Sequence, residues 1–307
     1  MTSHYPTRPT SLAEWDERFN QTLSSRFQES DKAAETFQPL PTDLFISPYA
    51  KCGTTWLQQI VHGLRTRGDM NFDDISRVVP WFGVSGALGL DINAPQRGSF
   101  RAFKSHESWH KIPKGARYLV SLRDPKDALV SAYRFSEGWT FAVGSVSIAE
   151  FAQDAYLKDR GAPGSYWHHL LSWWEQRHNP SLLLLCYEDT KQDLAGTIRK
   201  IAKFLDIPLD EELMDIVLKQ SSLDFMLKHK DKFDDFLLHN LFIQSGLLPP
   251  GGDSAKVRKG EVGQHHYELP AEISAEMDAI WQEEITAKLG FANYQELRAA
   301  LRKEEVK

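Results

Sequence analysis

Lys51, Gly53, Thr54 and Thr55 stand within five residues of one another. Lys51 offers a cation, the two threonines offer hydroxyl donors, and Gly53 lets a backbone approach a ligand closely. Such a set suits a polyanion. Further along, Lys104 and His106 are separated by one serine. Histidine is the commonest general base near neutral pH, and a lysine two residues before it supplies charge for the same site. Arg123 could grip a phosphate bidentately, and Ser131 lies two turns further on. The chemistry these types can do together is anion binding followed by a proton transfer.

The elements around them are arranged to position such a site. Leu44-Phe45-Ile46 is a short apolar run that reads as a buried parallel strand. It leads through Ser47-Pro48-Tyr49-Ala50-Lys51-Cys52-Gly53 into a helix on which Trp56, Ile60, Gly63 and Leu64 recur at helical spacing. A strand, a turn and a helix N-terminus in that order present free N–H groups and a positive dipole end to an anion. This is not a Walker A loop, because Lys51 precedes the glycine and position 48 is proline. A nucleotide other than ATP–Mg is the natural ligand, and an ordinary strand–helix turn is the bland alternative.

Arg101 to His106 reads as a second strand, Ala116 to Leu122 as a third, and Ser181 to Cys186 as a fourth. In open parallel sheets, ligands lie beyond the carboxyl ends of the strands, where His106 and Arg123 fall. Asp124 and Pro125 fit the N-cap and first turn of the next helix. Ser11 to Phe37 reads as helix and lead-in. The stretch from Asn71 to Arg97 reads as irregular or partly helical. Gly138 to Gly164 reads as a loop and a short helix, and Leu247 to Val262 as a Pro- and Gly-rich loop that turns basic. Pro270 to Leu301 reads as helix with Ile273, Met277, Ile280 and Trp281 inward. His168 and His169 are adjacent on a predicted helix, so they point about 100° apart and do not share a metal.

Four ordered segments between Phe45 and Gly263 resemble the cytosolic sulfotransferases. Ala50-Lys51-Cys52-Gly53-Thr54-Thr55-Trp56 is similar to that family's loop for the 5′-phosphosulfate, with Ala for Pro and Cys for Ser. Lys104-Ser105-His106 matches its Lys-Thr-His. Arg123-Asp124-Pro125-Lys126-Asp127, followed by Val130-Ser131 and Tyr133, matches its second hallmark. Arg258-Lys259-Gly260 matches its closing loop, although as a bare charge run that loop reads as solvated. Tyr187-Glu188-Asp189 and Ser221-Ser222-Leu223, with Met226 three residues on, resemble its adenine-side segments, with Leu223 in place of an aromatic residue.

The resemblance implies an α/β fold in which helices flank a central parallel β-sheet, a P-loop-nucleotide-kinase-like three-layer sandwich. Residues 1–307 are expected to form one sulfotransferase domain, with 1–40 as lead-in and 265–307 as a C-terminal helical segment. The implied donor is 3′-phosphoadenosine 5′-phosphosulfate (PAPS), with PAP as product and no metal. His106 is the expected base, and Lys51 and Lys104 hold the leaving oxygen and the sulfuryl group. Lys51, Cys52, Gly53, Thr54 and Thr55 are expected at the 5′-phosphate, and Trp56, Tyr187, Ser221, Ser222 and Leu223 at the adenine. Arg123, Ser131, Arg258, Lys259 and Gly260 are expected at the 3′-phosphate. A catalytically silent PAP- or nucleotide-binding protein and an ATP–Mg kinase are the alternatives. Intact Lys51, Lys104 and His106 argue against the first, and the displaced lysine against the second. Trp81, Phe82, Trp109, Phe135, Trp139 and Phe141 are the aromatic residues that could line an apolar acceptor pocket, with core packing as the alternative. The partner expected there is a small molecule with a hydroxyl or amine.

The formal net charge of −6 in 307 residues gives no bulk attraction to nucleic acid. Cys52 and Cys186 form neither a disulfide framework nor a metal-ligand pattern, which fits a reducing compartment. Met1 to Glu35 lacks a signal-peptide pattern, and the strongest apolar run, Leu182 to Cys186, is too short to span a bilayer, so a cytoplasmic protein without a membrane partner is expected. The family's C-terminal dimer segment is not recognisable, which leaves the oligomeric state open.

Overall fold

A computed structural model describes residues 7–158, 164–252, 254 and 256–305. Four parallel strands form its sheet in the order β2-β1-β3-β4, with β1 Leu44–Ile46, β2 Ala102–Lys104, β3 Arg117–Leu122 and β4 Leu182–Cys186. Side chains alternate across a strand, so each strand feeds two cores. Phe45, Phe103, Tyr118 and Val120 pack on one face with Trp167, Trp173 and the C-terminal residues Ile273, Met277 and Trp281. Leu44, Ile46, Ala102 and Leu119 pack on the other with Leu57, Ile60, Val61 and Leu64. Those four belong to the helix Thr54–Thr66, and helices on both faces make three layers.

The register positions the chemistry. Ile46 is level with Lys104 on one side and with Leu119 on the other. The carboxyl ends of β1, β2 and β3 therefore open together, and the loops after them share one edge of the sheet. The helix Pro125–Ser136 follows β3 after two residues, with Asp124 as N-cap accepting from the N–H of Lys126 at 2.9 Å.

Two regions differ from the sequence expectation. The N-terminal helical stretch is two helices, Leu12–Thr22 and Ser24–Ala34. The break at Leu23, φ −127° and ψ −14°, lets that side chain join Trp139, Leu241 and Phe242 in a satellite core. The C-terminal stretch is likewise interrupted. The helix Ala271–Trp281 runs on through a π-turn, Gln282–Thr286, to Leu289, and Gly290 ends it at φ +80°. A last helix, Tyr294–Glu305, joins the core on one face of the sheet through Tyr294, Leu297 and Leu301. The expected loop from Gly138 to Gly164 lies partly outside the described residues. No helix among the described residues is long and apolar enough to cross a membrane.

Candidate active site

The loop after β1 is shaped by two left-handed residues, Lys51 at φ +66° and Gly53 at φ +94°. Lysine is rarely found there, and its strain has to be held by neighbours. Arg123 does so: its Nη1 donates to the Lys51 carbonyl at 2.9 Å, and its Nη2 donates to the Glu261 carbonyl at 3.2 Å. Its guanidinium also lies 4.4 Å over the Tyr187 ring. Gly53 caps the Thr54–Thr66 helix without any side-chain cap bond, so the first-turn N–H groups stay open toward the cavity. A Cβ at position 53 would meet the Tyr187 ring at 3.0 Å, so tyrosine and loop pack as closely as glycine permits.

Cys52 sits differently from its neighbours. Its side chain is fully buried in the core, its Sγ near the Ala50 carbonyl, and burial pushes its thiol up to about 12. It lends the loop packing and no anion-binding hydroxyl. Ala50, Lys51, Gly53, Thr54, Thr55 and Trp56 all line a cavity of about 690 Å³, within the roughly 300–1,000 Å³ usual for small-molecule sites.

Lys104 and His106 line the same cavity. Trp81 joins them, since the Lys104 ammonium lies 3.5 Å over its ring and the His106 ring meets it edge-on at 5.3 Å. His106 Nδ1 lies 2.8 Å from the Pro48 carbonyl, which can only accept. Nδ1 therefore carries the proton, and Nε2 keeps its lone pair. Burial, reinforced by Lys104, lowers the imidazolium pKa to about 3, so the ring is neutral near pH 7. The Lys51 ammonium sits 4.0 Å over the Phe135 ring. Burial and then Lys256 lower its pKa to about 7, and burial lowers that of Lys104 to about 8. Each of these groups is in a site where cations outnumber the one buried carboxylate, Asp235, and a bound polyanion would raise all three.

The remaining donor-side residues converge as well. Arg123, Ser131, Tyr187, Ser221, Ser222, Leu223, Arg258, Lys259 and Gly260 all line the cavity. Trp56 donates from Nε1 to the Ser221 carbonyl at 2.7 Å and meets Tyr187 edge-on at 5.7 Å, tying three of these segments together. Buried polar atoms here lack partners within the protein: Thr54 Oγ1, Arg123 Nε and Ser221 Oγ. Unpaired buried groups are costly, and a phosphorylated ligand would satisfy them. The site therefore fits a polyanionic nucleotide.

Of the six aromatic residues named for the acceptor pocket, Trp81 and Phe135 line the cavity. The other four do not. Phe82 packs on Phe37 and Phe45 at 5.6 and 5.2 Å, and Trp109 on Tyr118 and Trp173 at 5.2 and 5.6 Å. Trp139 lies between Phe135 and Phe242 at 4.7 and 5.8 Å, and Phe141 meets Trp15 edge-on at 6.5 Å. Burying so much ring surface in the core is worth more than lining a wet cleft.

Sequence reasoning did not single out several supports. Glu188 accepts from the Asp124 N–H at 3.1 Å and from Tyr294 Oη at 2.7 Å, locking the end of β4 to the N-cap after β3. Asp127 accepts from the Gly263 N–H at 2.7 Å and from His265 Nδ1 at 2.8 Å. It thereby holds the downstream end of the segment carrying Arg258, Lys259 and Gly260, while Lys191 Nζ donates to the Gly260 carbonyl. Asp235 and Lys256 also line the cavity. Asp127 lies in a recognised run and Lys256 in a basic one, but nothing in their spacing announces a partner far away in sequence. Among the described residues no group of three or more His, Cys, Asp or Glu could hold a metal ion.

A parallel α/β sheet with an anion loop at the carboxyl end of β1, a neutral histidine and a ring of cations defines a group-transfer enzyme acting on a nucleotide. A profile of the sulfotransferase domain family matches residues 41–289, and the chain belongs to that family. It is a sulfotransferase. It is 32% identical over 251 residues to sulfotransferase 2A1 of Rattus norvegicus, covering 79% of this chain and 84% of that one. It is 29% identical over 262 residues to the amine sulfotransferase of Oryctolagus cuniculus, covering 82% and 83%. Its fold is similar to that of retinol dehydratase solved with androsterone and inactive cofactor PAP, with a TM-score of 0.69, 18% identity, and 89% and 94% of the two chains covered.

Proposed function

We propose that this enzyme transfers the sulfuryl group of PAPS to the hydroxyl or amine of a small, largely apolar acceptor, with His106 as general base. The observation that carries this reading is one cavity lined at once by Lys51, Lys104 and His106 and by Arg123, Ser131, Arg258 and Lys259. PAPS supplies an activated sulfuryl group whose departure leaves PAP. The residues then divide the work. The open N–H groups of the Thr54–Thr66 helix, with Thr54 and Thr55, hold the 5′-phosphate. Arg123, Ser131, Arg258 and Lys259 hold the 3′-phosphate. Trp56, Tyr187, Ser221, Ser222 and Leu223 face the adenosine.

His106 Nε2 takes the proton of the acceptor as its oxygen or nitrogen bonds to sulfur and the bond from sulfur to the 5′-phosphate oxygen breaks. Lys51 stabilises the charge left on that oxygen, and Lys104 holds the sulfuryl oxygens. A donor carrying several negative charges raises the pKa of His106 from about 3 toward a useful range.

Trp81, Ala132 and Phe135 give the acceptor side an apolar lining. One similar protein is named for amines, and retinol dehydratase, which shares the fold, was solved with androsterone; both are in keeping with a compact acceptor bearing one nucleophile. Free Cys52 and Cys186 suit the reducing cytoplasm.

The test is calorimetric titration of PAP, AMP and ATP–Mg into the wild type and Arg258→Ala. The expected result is preference for PAP over AMP, weakened in the variant. Preference for ATP–Mg would overturn the donor assignment.

A further inference from the structure

Asp235 is a carboxylate in an unusual place. It has a left-handed backbone at φ +52°, only 4% of it is exposed, and it lines the cavity between two lysines. Its Oδ1 lies 2.5 Å from Lys256 Nζ and 3.5 Å from Lys104 Nζ. Lys104 comes from β2 and Lys256 from the basic loop, while Asp235 immediately precedes the helix Phe236–Gln244. Three segments far apart in sequence thus meet through one carboxyl group. A buried carboxylate is retained at a desolvation cost, and here two ammonium groups offset it.

We propose that Asp235 is a positioning residue for sulfuryl transfer, and that its carboxylate bridges Lys104 and Lys256 to hold Lys256 as a further cation beside the reacting group. The inference rests on the assignment of Lys51, Lys104 and His106 to the reaction centre. Without Asp235, Lys51, Lys104, Lys256 and Arg123 would face one another with little compensating charge. The groups that bear on this cluster are Lys51 from the loop after β1, Lys104 and His106 from the end of β2, Arg123 from the end of β3, and Lys256. On the acidic side stand Asp235 and, more remotely, Asp74, which accepts from the Leu237 N–H at 2.9 Å. Asp234, the preceding residue, accepts from Ser254 Oγ at 3.0 Å.

The carboxylate raises the pKa of both Lys104 and Lys51, whereas Lys256 lowers both. Removing the anion and removing the cation should therefore move the alkaline limb of kcat/KM for the donor in opposite directions. That limb reports the free enzyme, where Lys51 and Lys104 titrate near pH 7 and 8.

The experiment is the pH profile of kcat/KM for PAPS in wild type, Asp235→Asn, Lys256→Met and the double variant, with PAP affinity measured alongside. Asparagine tolerates a left-handed backbone, so Asp235→Asn is conformationally mild. Asp235→Asn should lower kcat by roughly tenfold or more at pH 7.5 and shift the limb to lower pH. Lys256→Met should shift it to higher pH, and the double variant should return toward wild type. If Asp235→Asn does not fold, Lys256→Met carries the test through kcat: loss of a cation held beside the reacting group should lower kcat severalfold as its limb rises, and an unchanged kcat would overturn the proposal. Unchanged limbs, or shifts in the same direction, overturn the proposal. Loss of PAP preference in the wild type would instead overturn the donor assignment, so the two failures are separable.

Discussion

Arg123 Nη1 donates to the backbone carbonyl of Lys51 at 2.9 Å, so the guanidinium at the end of β3 fixes the left-handed turn after β1. Through Nη2 the same side chain reaches the Glu261 carbonyl, next to the Arg258-Lys259-Gly260 segment. One residue therefore ties the two anion-binding segments together before any ligand arrives. Arg123→Lys keeps the charge and loses the planar fork. Hydrogen bonds from a charged donor are worth about 1.5–3 kcal/mol each, so PAP affinity should fall roughly 10- to 100-fold. Calorimetric titration checks it, and an affinity within twofold of wild type would remove Arg123 from the role.

Gly53→Ala tests the turn itself. Alanine at φ +94° is strained, and its Cβ would sit 3.0 Å from the Tyr187 ring, which is held against Trp56. The expected cost is about 1–2 kcal/mol, a loss of a few degrees in Tm, and weaker PAP binding because the loop and Tyr187 move apart. Thermal melts with and without PAP separate the two effects. A variant with wild-type Tm and affinity would contradict the close packing.

Much of this was legible in the sequence, and for identifiable reasons. Strand, loop and helix around Lys51 are local in the chain, and Pro125 and Asp124 announce a helix start by their own chemistry. The position of His106 follows from its place just beyond a strand. What stayed hidden depends on contacts between distant segments. Phe82 and Trp109 have the same sequence signature as Trp81, and only the packing of Phe37, Tyr118 and Trp173 decides which ring faces the cavity. Asp235 looks like one more charge in a polar stretch until Lys104 and Lys256 are brought to it. The break at Leu23 is invisible to helical periodicity, because it is imposed by the satellite core.

His106→Ala should lower kcat by roughly 10²-fold or more while leaving PAP affinity within a few-fold, because the base acts on the acceptor's proton. His106→Gln should not restore turnover, since an amide offers no basic nitrogen. Steady-state rates on any active acceptor, beside PAP titrations, make the comparison. Near-normal turnover in a folded variant would assign the proton transfer elsewhere.

Buried neutral histidines make stability fall in acid. Burial lowers His62 to about 4 and His169 to about 3, as it does His106. Below the unfolded value of about 6.5 the unfolded chain binds protons that the folded chain refuses. His62 and His169, 0% and 2% exposed, should therefore each cost on the order of 1 kcal/mol of stability per pH unit from about pH 6.5 downward, until the folded pKa is reached. Urea unfolding at pH 7.5 and pH 5.5 measures this. His62→Gln should flatten the dependence, and an unchanged slope would show that His62 is not held neutral.

The contact between Asp127 and His265 should depend on pH in the opposite sense. Asp127 accepts from the Gly263 N–H, the His265 N–H and His265 Nδ1, at 2.7, 3.2 and 2.8 Å. The hydrogen bond to Asp127 raises the His265 pKa above its usual value, and His265 in turn helps to lower that of Asp127. A raised histidine contributes stability that is fully present below about 6.5 and is lost as pH rises through the folded value. A lowered aspartate contributes above about 4. The pair is therefore strongest between those limits. His265→Gln should lower Tm more at pH 6 than at pH 9, by an amount equivalent to about 1 kcal/mol. Asp127→Ala should in addition weaken PAP binding several-fold, because it frees the downstream end of the segment carrying Arg258. If the gap between wild type and His265→Gln is the same at both pH values, His265 is not charged in the contact, and the Asp127 bonds to the backbone alone hold the segment in place.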